Sequence, residues 1–193
     1  MFGIRSGTEQ PTYEIVAQLV ETIEVRRYPP RVAAEALVEA ADEKPARNAA
    51  FRLLFDYISG ANRSNRQIAM TTPVETAAAS EKIAMTVPVE SARTGEATLR
   101  MRFFLPTGLD LESTPAPLDP RVRIVALPGQ TVAALRFSGS RGRDAVAEKT
   151  TQLLRALAET PWRPTAEPVA YFYDPPWTLP FLRRNEVVVA VER

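Results

Sequence analysis

Apolar and polar residues alternate with a period of two along several short stretches, and the period lengthens to between three and four at two places. Alternation over 13–20 and 22–27, with a hard break at Pro29-Pro30, predicts two strands. Val32, Ala34, Ala36 and Val38 extend the same pattern over 31–40. Asp42-Glu-Lys-Pro45 then supplies a turn and a helix start. The helix predicted over 46–58 carries Ala50, Leu53, Leu54, Tyr57 and Ile58 on one stripe and closes at Ser59-Gly60. Phe51 and Phe55 fall on the shoulder of that stripe, one turn apart and beside Asn48. The apolar surface is wider than one sheet contact requires. A second helix, over 142–159, sets Val146, Thr150, Leu153, Leu154 and Leu157 against Glu148, Gln152, Arg155 and Glu159. It has no aromatic shoulder, so the asymmetry marks the first helix as the candidate binding face.

Strands are expected over 67–74, 82–89, 98–105, 122–127, 131–137, 169–173 and 186–191. The order strands, helix, strands then occurs twice, on either side of the proline-rich Ser113-Thr-Pro-Ala-Pro-Leu-Asp-Pro120. A single α+β domain over 1–193, duplicated internally with halves near 13–112 and 121–193, is the natural inference. A tighter repeat is local: Gln67-Ile-Ala-Met-Thr-Thr-Pro-Val-Glu75 returns fifteen positions later as Lys82-Ile-Ala-Met-Thr-Val-Pro-Val-Glu90. As strands, these copies would put Ile68 with Met70, and Ile83 with Met85, on one side.

Composition narrows the chemistry. The chain has 193 residues, 45% of them hydrophobic and 24% charged, so it can bury a substantial core. Its 24 basic and 23 acidic residues nearly cancel, which argues against a nucleic-acid surface. Cysteine and histidine are both absent. Thiolate zinc, iron–sulfur clusters, thiol nucleophiles, histidine-ligated metals and a Ser-His-Asp triad are thereby excluded. No Walker or dinucleotide fingerprint is present, and Gly139-Ser-Arg-Gly142 matches neither, so no bound nucleotide is expected. No apolar run approaches the roughly 20 residues of a membrane helix, and the first residues lack the apolar core of a secretion signal. A cytoplasmic location is the expectation.

Several segments, taken in order, resemble the SOUL/haem-binding protein family across nearly the whole chain. They are Arg27-Tyr-Pro-Pro-Arg31, Ala50-Phe-Arg-Leu-Leu-Phe-Asp-Tyr-Ile-Ser-Gly-Ala-Asn62, the doubled Ile-Ala-Met-Thr-x-Pro-Val, Phe103-Phe-Leu-Pro106, Tyr173-Asp-Pro-Pro-Trp177 and Arg183-Arg-Asn-Glu-Val187. The resemblance implies a distorted antiparallel β-barrel flanked by two helices and built from pseudo-symmetric halves. It also implies kinship with gyrase-inhibitor-like and effector-binding domains, whose cleft takes organic ligands. Haem or another porphyrin is the ligand it implies, lying on apolar side chains of the first helix with basic groups at its propionates. Phe51 and Phe55 match the apolar helix positions. The family's basic positions fall on Asn48 and Thr178, with Arg47 and Arg52 adjacent to the first. An axial histidine, used by part of the family, cannot occur here.

Each candidate also has a plainer role. Phe51 and Phe55 could complete a core; Met70 and Met85 could fill gaps or offer thioethers to iron. Tyr57, Tyr171 and Tyr173 could ligate ferric iron or simply satisfy a buried hydroxyl. Arg47, Arg52, Arg63 and Arg66 form either a solvated face or a carboxylate clamp. Arg183, Arg184 and Glu186 are expected to make ion pairs, and Trp177 could cap the cleft above Asp174-Pro-Pro. The leading expectation is a binding protein for a tetrapyrrole or similar flat apolar ligand, serving its buffering or delivery. A hydrolase working through Glu186 with Tyr171 or Tyr173 is the alternative, since a desolvated carboxylate has a raised pKa. A protein-interaction module exposing the first helix is the third.

Overall fold

The structure is a computed structural model that describes residues 8–39, 42–64, 80–94, 98–175 and 177–193. In chain order the elements are β1 (Glu14–Val20), β2 (Ile23–Tyr28), β3 (Arg31–Glu39), α1 (Glu43–Ile58), β4 (Asn62–Arg63), β5 (Val89–Thr94) and β6 (Thr98–Phe104). Then follow β7 (Ala116–Pro117), β8 (Val122–Leu127), β9 (Gln130–Phe137), α2 (Arg143–Ala158), β10 (Arg163–Pro164), β11 (Val169–Phe172) and β12 (Asn185–Glu192). The first helix begins three residues before the expected start. Pro45 sits in its first turn, where a missing N–H leaves no bond unmade, and Glu43 complements the positive end of the helix dipole.

One antiparallel sheet runs β1-β2-β9-β12-β11-β5-β6-β3-β8 and curls into a half-barrel. Exchanging β2 with β8, β3 with β9, β5 with β11, and β6 with β12 turns this path into itself reversed, leaving β1 as an addition. The opening strand of each half crosses over: β2 pairs with β9, and β8 with β3. The two helices cover one face. Ala50, Leu54, Tyr57 and Ile58 of α1 pack on Ala34, Ala36, Met101, Phe103 and Val122. Leu153 and Leu157 of α2 pack on Val25, Leu135, Val187 and Val189. The bed beneath α2 is narrow, so Leu154, expected inside, stays exposed.

Tyr57 is 1% exposed, and its hydroxyl donates to the carbonyl of Pro115 at 2.8 Å. It holds the loop before β7 against α1, and its hydroxyl is committed to that carbonyl. Tyr57→Phe strands that buried carbonyl and is expected to cost about 1–3 kcal/mol in urea unfolding.

The strand expected over 82–89 does not form. Residues 80–85 carry no regular pairing, Thr86 makes an isolated bridge to Glu9, and the ladder starts only at Val89. Pro88 has no N–H to give a ladder. The Ile83 N–H instead bonds the carbonyl of Ile58 at the end of α1, and its side chain joins the α1 core. Ile83 and Met85 therefore do not share a face, and Met85 is 37% exposed. The other copy of the repeat, with the strand expected over 67–74 and Met70, lies outside the described residues, as does Arg66.

Candidate ligand site on the first helix

Helix α1 puts Arg47, Phe51 and Phe55 four residues apart, so they form a row along its length. Phe51 is anchored by an edge contact with Phe103 at 5.3 Å between ring centroids. Phe55 stacks on it at 6.0 Å and 14° but remains 46% exposed. The row thus grades from core into an aromatic surface. Asn48 and Arg52 lie on the solvent side of the same helix.

The polar end of the row meets the second half of the molecule. Arg47 bonds Glu43 one turn back and also donates to the carbonyl of Arg141, in the loop before α2, at 3.3 Å. The Arg47 and Arg141 guanidiniums both flank the Phe172 ring, at 5.4 and 5.6 Å from its centroid. Arg141 in turn donates to the carbonyl of Asp174 at 3.0 Å. Burial, and then the positive charges of Arg183 and Arg47, lower the pKa of Arg141 against the pull of Asp174. Two polar atoms here are buried without a hydrogen-bond partner, Nε of Arg47 and Oγ1 of Thr178. An anionic oxygen would answer the first and a donor or acceptor the second.

Other expected residues fall elsewhere. Arg66 is outside the described residues, and Arg63 lies past the C-terminus of α1, in β4 opposite Ala116. Its place beside Arg47 is taken by Arg141, which sequence reasoning passed over as part of a failed phosphate motif. Trp177 is 81% exposed on the loop after Asp174. Arg183 donates through Nε to the carbonyl of Thr178 at 2.8 Å, which closes that loop.

Glu186, Tyr171 and Tyr173 belong to the opposite, concave face of the sheet. Glu186 is completely buried, and Arg26 grips it in a fork with bonds of 2.8 and 3.1 Å. Arg184 adds bonds of 3.1 and 2.8 Å, and the Tyr173 hydroxyl donates to Oε2 at 2.7 Å. Burial alone would raise the carboxyl pKa. The bonds and charges of Arg26, the charge of Arg184 and the tyrosine hydroxyl outweigh it and hold Glu186 below its ordinary 4.5. The raised carboxylate that a general acid or base requires is therefore not what this pair supplies. Burial and the Glu186 charge push Tyr173 upward, so its phenol stays protonated. The same face continues through register as Tyr171, Glu90, Arg102 and Glu35, with Arg102 bonded to Glu35 at 2.7 Å and to Glu90 at 3.1 Å.

Two helices on one curled antiparallel sheet, with an aromatic row running out of the core of one helix, define an α+β half-barrel with a surface suited to a flat ligand. A model of the SOUL heme-binding protein family matches residues 8–190, and the chain belongs to that family. No curated protein matches the sequence. Among solved structures, the EcmrR C-terminal domain is similar over 94% of this chain and 98% of its own, at 11% identity and a TM-score of 0.61. A hydrolase from Listeria innocua is similar over 89% of this chain and 92% of its own, at 10% identity and a TM-score of 0.60. At these identities the likeness is one of fold. No helix among the described residues is long and apolar enough to cross a membrane.

Proposed function

We propose that this chain binds haem or a similar flat tetrapyrrole on the outer face of α1, by apolar contact and without a histidine ligand. The observation that carries the reading is the row Arg47–Phe51–Phe55, which ends at the unbonded Nε of Arg47. The macrocycle rests on Phe55 and the exposed edge of Phe51, and its carboxylates go to Arg47 and Arg141. Asn48, Arg52, Met85 and Trp177 are the flanking contacts, and Met85 is the described thioether that could approach iron. The role is tetrapyrrole buffering or delivery in the cytoplasm.

Apolar burial at about 25 cal/mol per Å² gives roughly 7 kcal/mol for about 300 Å² before association costs, and the carboxylate contacts at the arginines add to it without an iron bond. Haemin and metal-free protoporphyrin should therefore bind with similar, saturable affinity, read from the Soret band and tryptophan quenching. Phe55→Ala removes about 1.5–3 kcal/mol of apolar contact, so affinity for both ligands falls roughly ten- to a hundredfold. Haemin alone binding tightly, with a shifted Soret band, would move the reading to Met85 ligation. Failure of either ligand to saturate the wild type would end it.

A further inference from the structure

The loop between β11 and β12 is held firmly by its backbone, yet its large apolar side chains stand in solvent. Arg141 donates to the carbonyls of Asp174 and Pro175 at 3.0 and 3.5 Å, and the Arg184 N–H donates to Oδ2 of Asp174 at 2.6 Å. Midway along the loop, the Gly139 N–H donates to the carbonyl of Pro180 at 2.8 Å. Residues Pro180–Leu182 form one 3₁₀ turn, and the Leu182 N–H returns to the carbonyl of Leu179 at 2.9 Å. On this fixed frame Trp177 is 81% exposed, Phe181 70%, Leu179 54% and Leu182 39%. Single exposed apolar residues are ordinary, but four large ones within six positions of one loop are not.

The charge around the loop has one sign. Positions 175–184 contain no acidic residue, and neither do positions 138–143, to which they are hydrogen-bonded. The two stretches together carry Arg141, Arg143, Arg183 and Arg184. Arg184 is matched by Glu186, but Arg141 feels the positive charges of Arg183 and Arg47 more strongly than the negative charge of Asp174. Asp174 itself is buried at the foot of the loop and does not reach the surface. The apolar patch is therefore rimmed by positive charge. Side chains that project this far need either a separate hole for each in a protein partner or a fluid apolar medium that takes them all. Tryptophan, phenylalanine and leucine beside arginine is the combination that settles at the boundary between water and hydrocarbon. The cytoplasmic leaflet of a membrane carries the complementary negative charge.

We propose that residues 177–182 dock this protein on the surface of an anionic lipid bilayer. Trp177, Leu179, Phe181 and Leu182 enter the headgroup layer, and the arginines beside them are drawn to the lipid charges. The docking is peripheral: a short loop reaches the boundary of the hydrocarbon and the folded domain stays outside it. The hydrogen bonds that fix the loop serve this role, because little backbone entropy is left to lose when the side chains insert. The inference goes beyond tetrapyrrole binding and shares only Trp177 with it.

The test is flotation of the protein with vesicles of phosphatidylcholine containing about a third phosphatidylglycerol, set against vesicles of phosphatidylcholine alone. Wild type is expected to float with the anionic vesicles roughly tenfold more tightly than with the neutral ones, a margin that shrinks as salt is added. Leu179→Ser combined with Phe181→Ser should weaken that binding at least about tenfold. Both side chains are exposed, so the double variant should unfold at the wild-type Tm. Without vesicles it should bind haemin as wild type does, so a loss here is distinguishable from a failure of the α1 site. In a Trp162→Phe protein Trp177 is the one remaining tryptophan, and its emission should shift to the blue on anionic vesicles and be quenched by brominated lipid. The proposal is overturned if wild type does not float, if it floats equally with both kinds of vesicle, or if the double variant floats as wild type does. Trp177 emission that responds to haemin but not to anionic vesicles overturns it too, and would give the loop to the tetrapyrrole alone.

Discussion

Glu186→Ala is expected to lower the unfolding free energy by about 3–5 kcal/mol, because it leaves the buried Arg26 and the half-buried Arg184 facing an empty space. Urea denaturation followed by circular dichroism reads this as a lower midpoint at unchanged slope. The pH dependence carries the sign. Glu186 titrates below its ordinary 4.5 in the folded protein, so its stabilisation is complete above that value and drains away as pH falls through the folded pKa. Wild type should therefore lose stability on acidification below about pH 4.5 more steeply than the alanine variant. Tyr173→Phe, which removes one bond to the same carboxylate, is expected to cost about 1.5–3 kcal/mol. Combined with Glu186→Ala, it should add much less than that, since both changes break one network. Additive losses, or a wild-type midpoint in Glu186→Ala, would show that the network does not hold the two halves together.

Leu54→Ala and Phe55→Ala, neighbours on α1, are expected to have opposite consequences. Leu54 is fully buried between the helix and the sheet, and its truncation leaves a cavity costing about 2–5 kcal/mol. For a chain of this size that lowers Tm by roughly 5–20 °C. Phe55 is 46% exposed and touches Phe51 rather than the sheet, so its truncation should stay within about 0.5 kcal/mol of wild type. Haemin titration should reverse the ranking, with Phe55→Ala impaired and folded Leu54→Ala close to wild type below its Tm. If Phe55→Ala instead destabilised the fold as Leu54→Ala does, the aromatic row would be core and the α1 site would be lost.

Most of the ladder was legible from periodicity. The expected strand over 122–127 is β8 residue for residue, and β2, β3, β6, β9, β11 and β12 depart by a residue or two at their ends. Both helices were readable because each carries a stripe broad enough to reach its sheet. The segment around Ile83 and Met85 misled because an apolar, repeated stretch looks like a strand, while a proline beside it denies the ladder its donors. Of the site, the shoulder of Phe51 and Phe55 was visible from helical angle alone. Arg141 was not, because its partner Arg47 is far away in sequence and the two meet only when the halves close.

What the sequence determined by itself was the set of elements, the duplicated order, the aromatic shoulder on α1 and the exclusion of histidine or cysteine chemistry. Only the tertiary structure decided which side of each strand is interior. Glu24, Arg26 and Tyr28 alternate with Ile23 and Val25, and a period of two says that the faces differ without saying that the polar one meets water. Here the helices cover the apolar face and the curl of the sheet encloses the other. Glu186 and Arg26 are thereby buried together across 160 positions of chain. The reason is physical: alternation is a local property of a strand, whereas the matching of one buried charge by another depends on how distant strands are brought side by side.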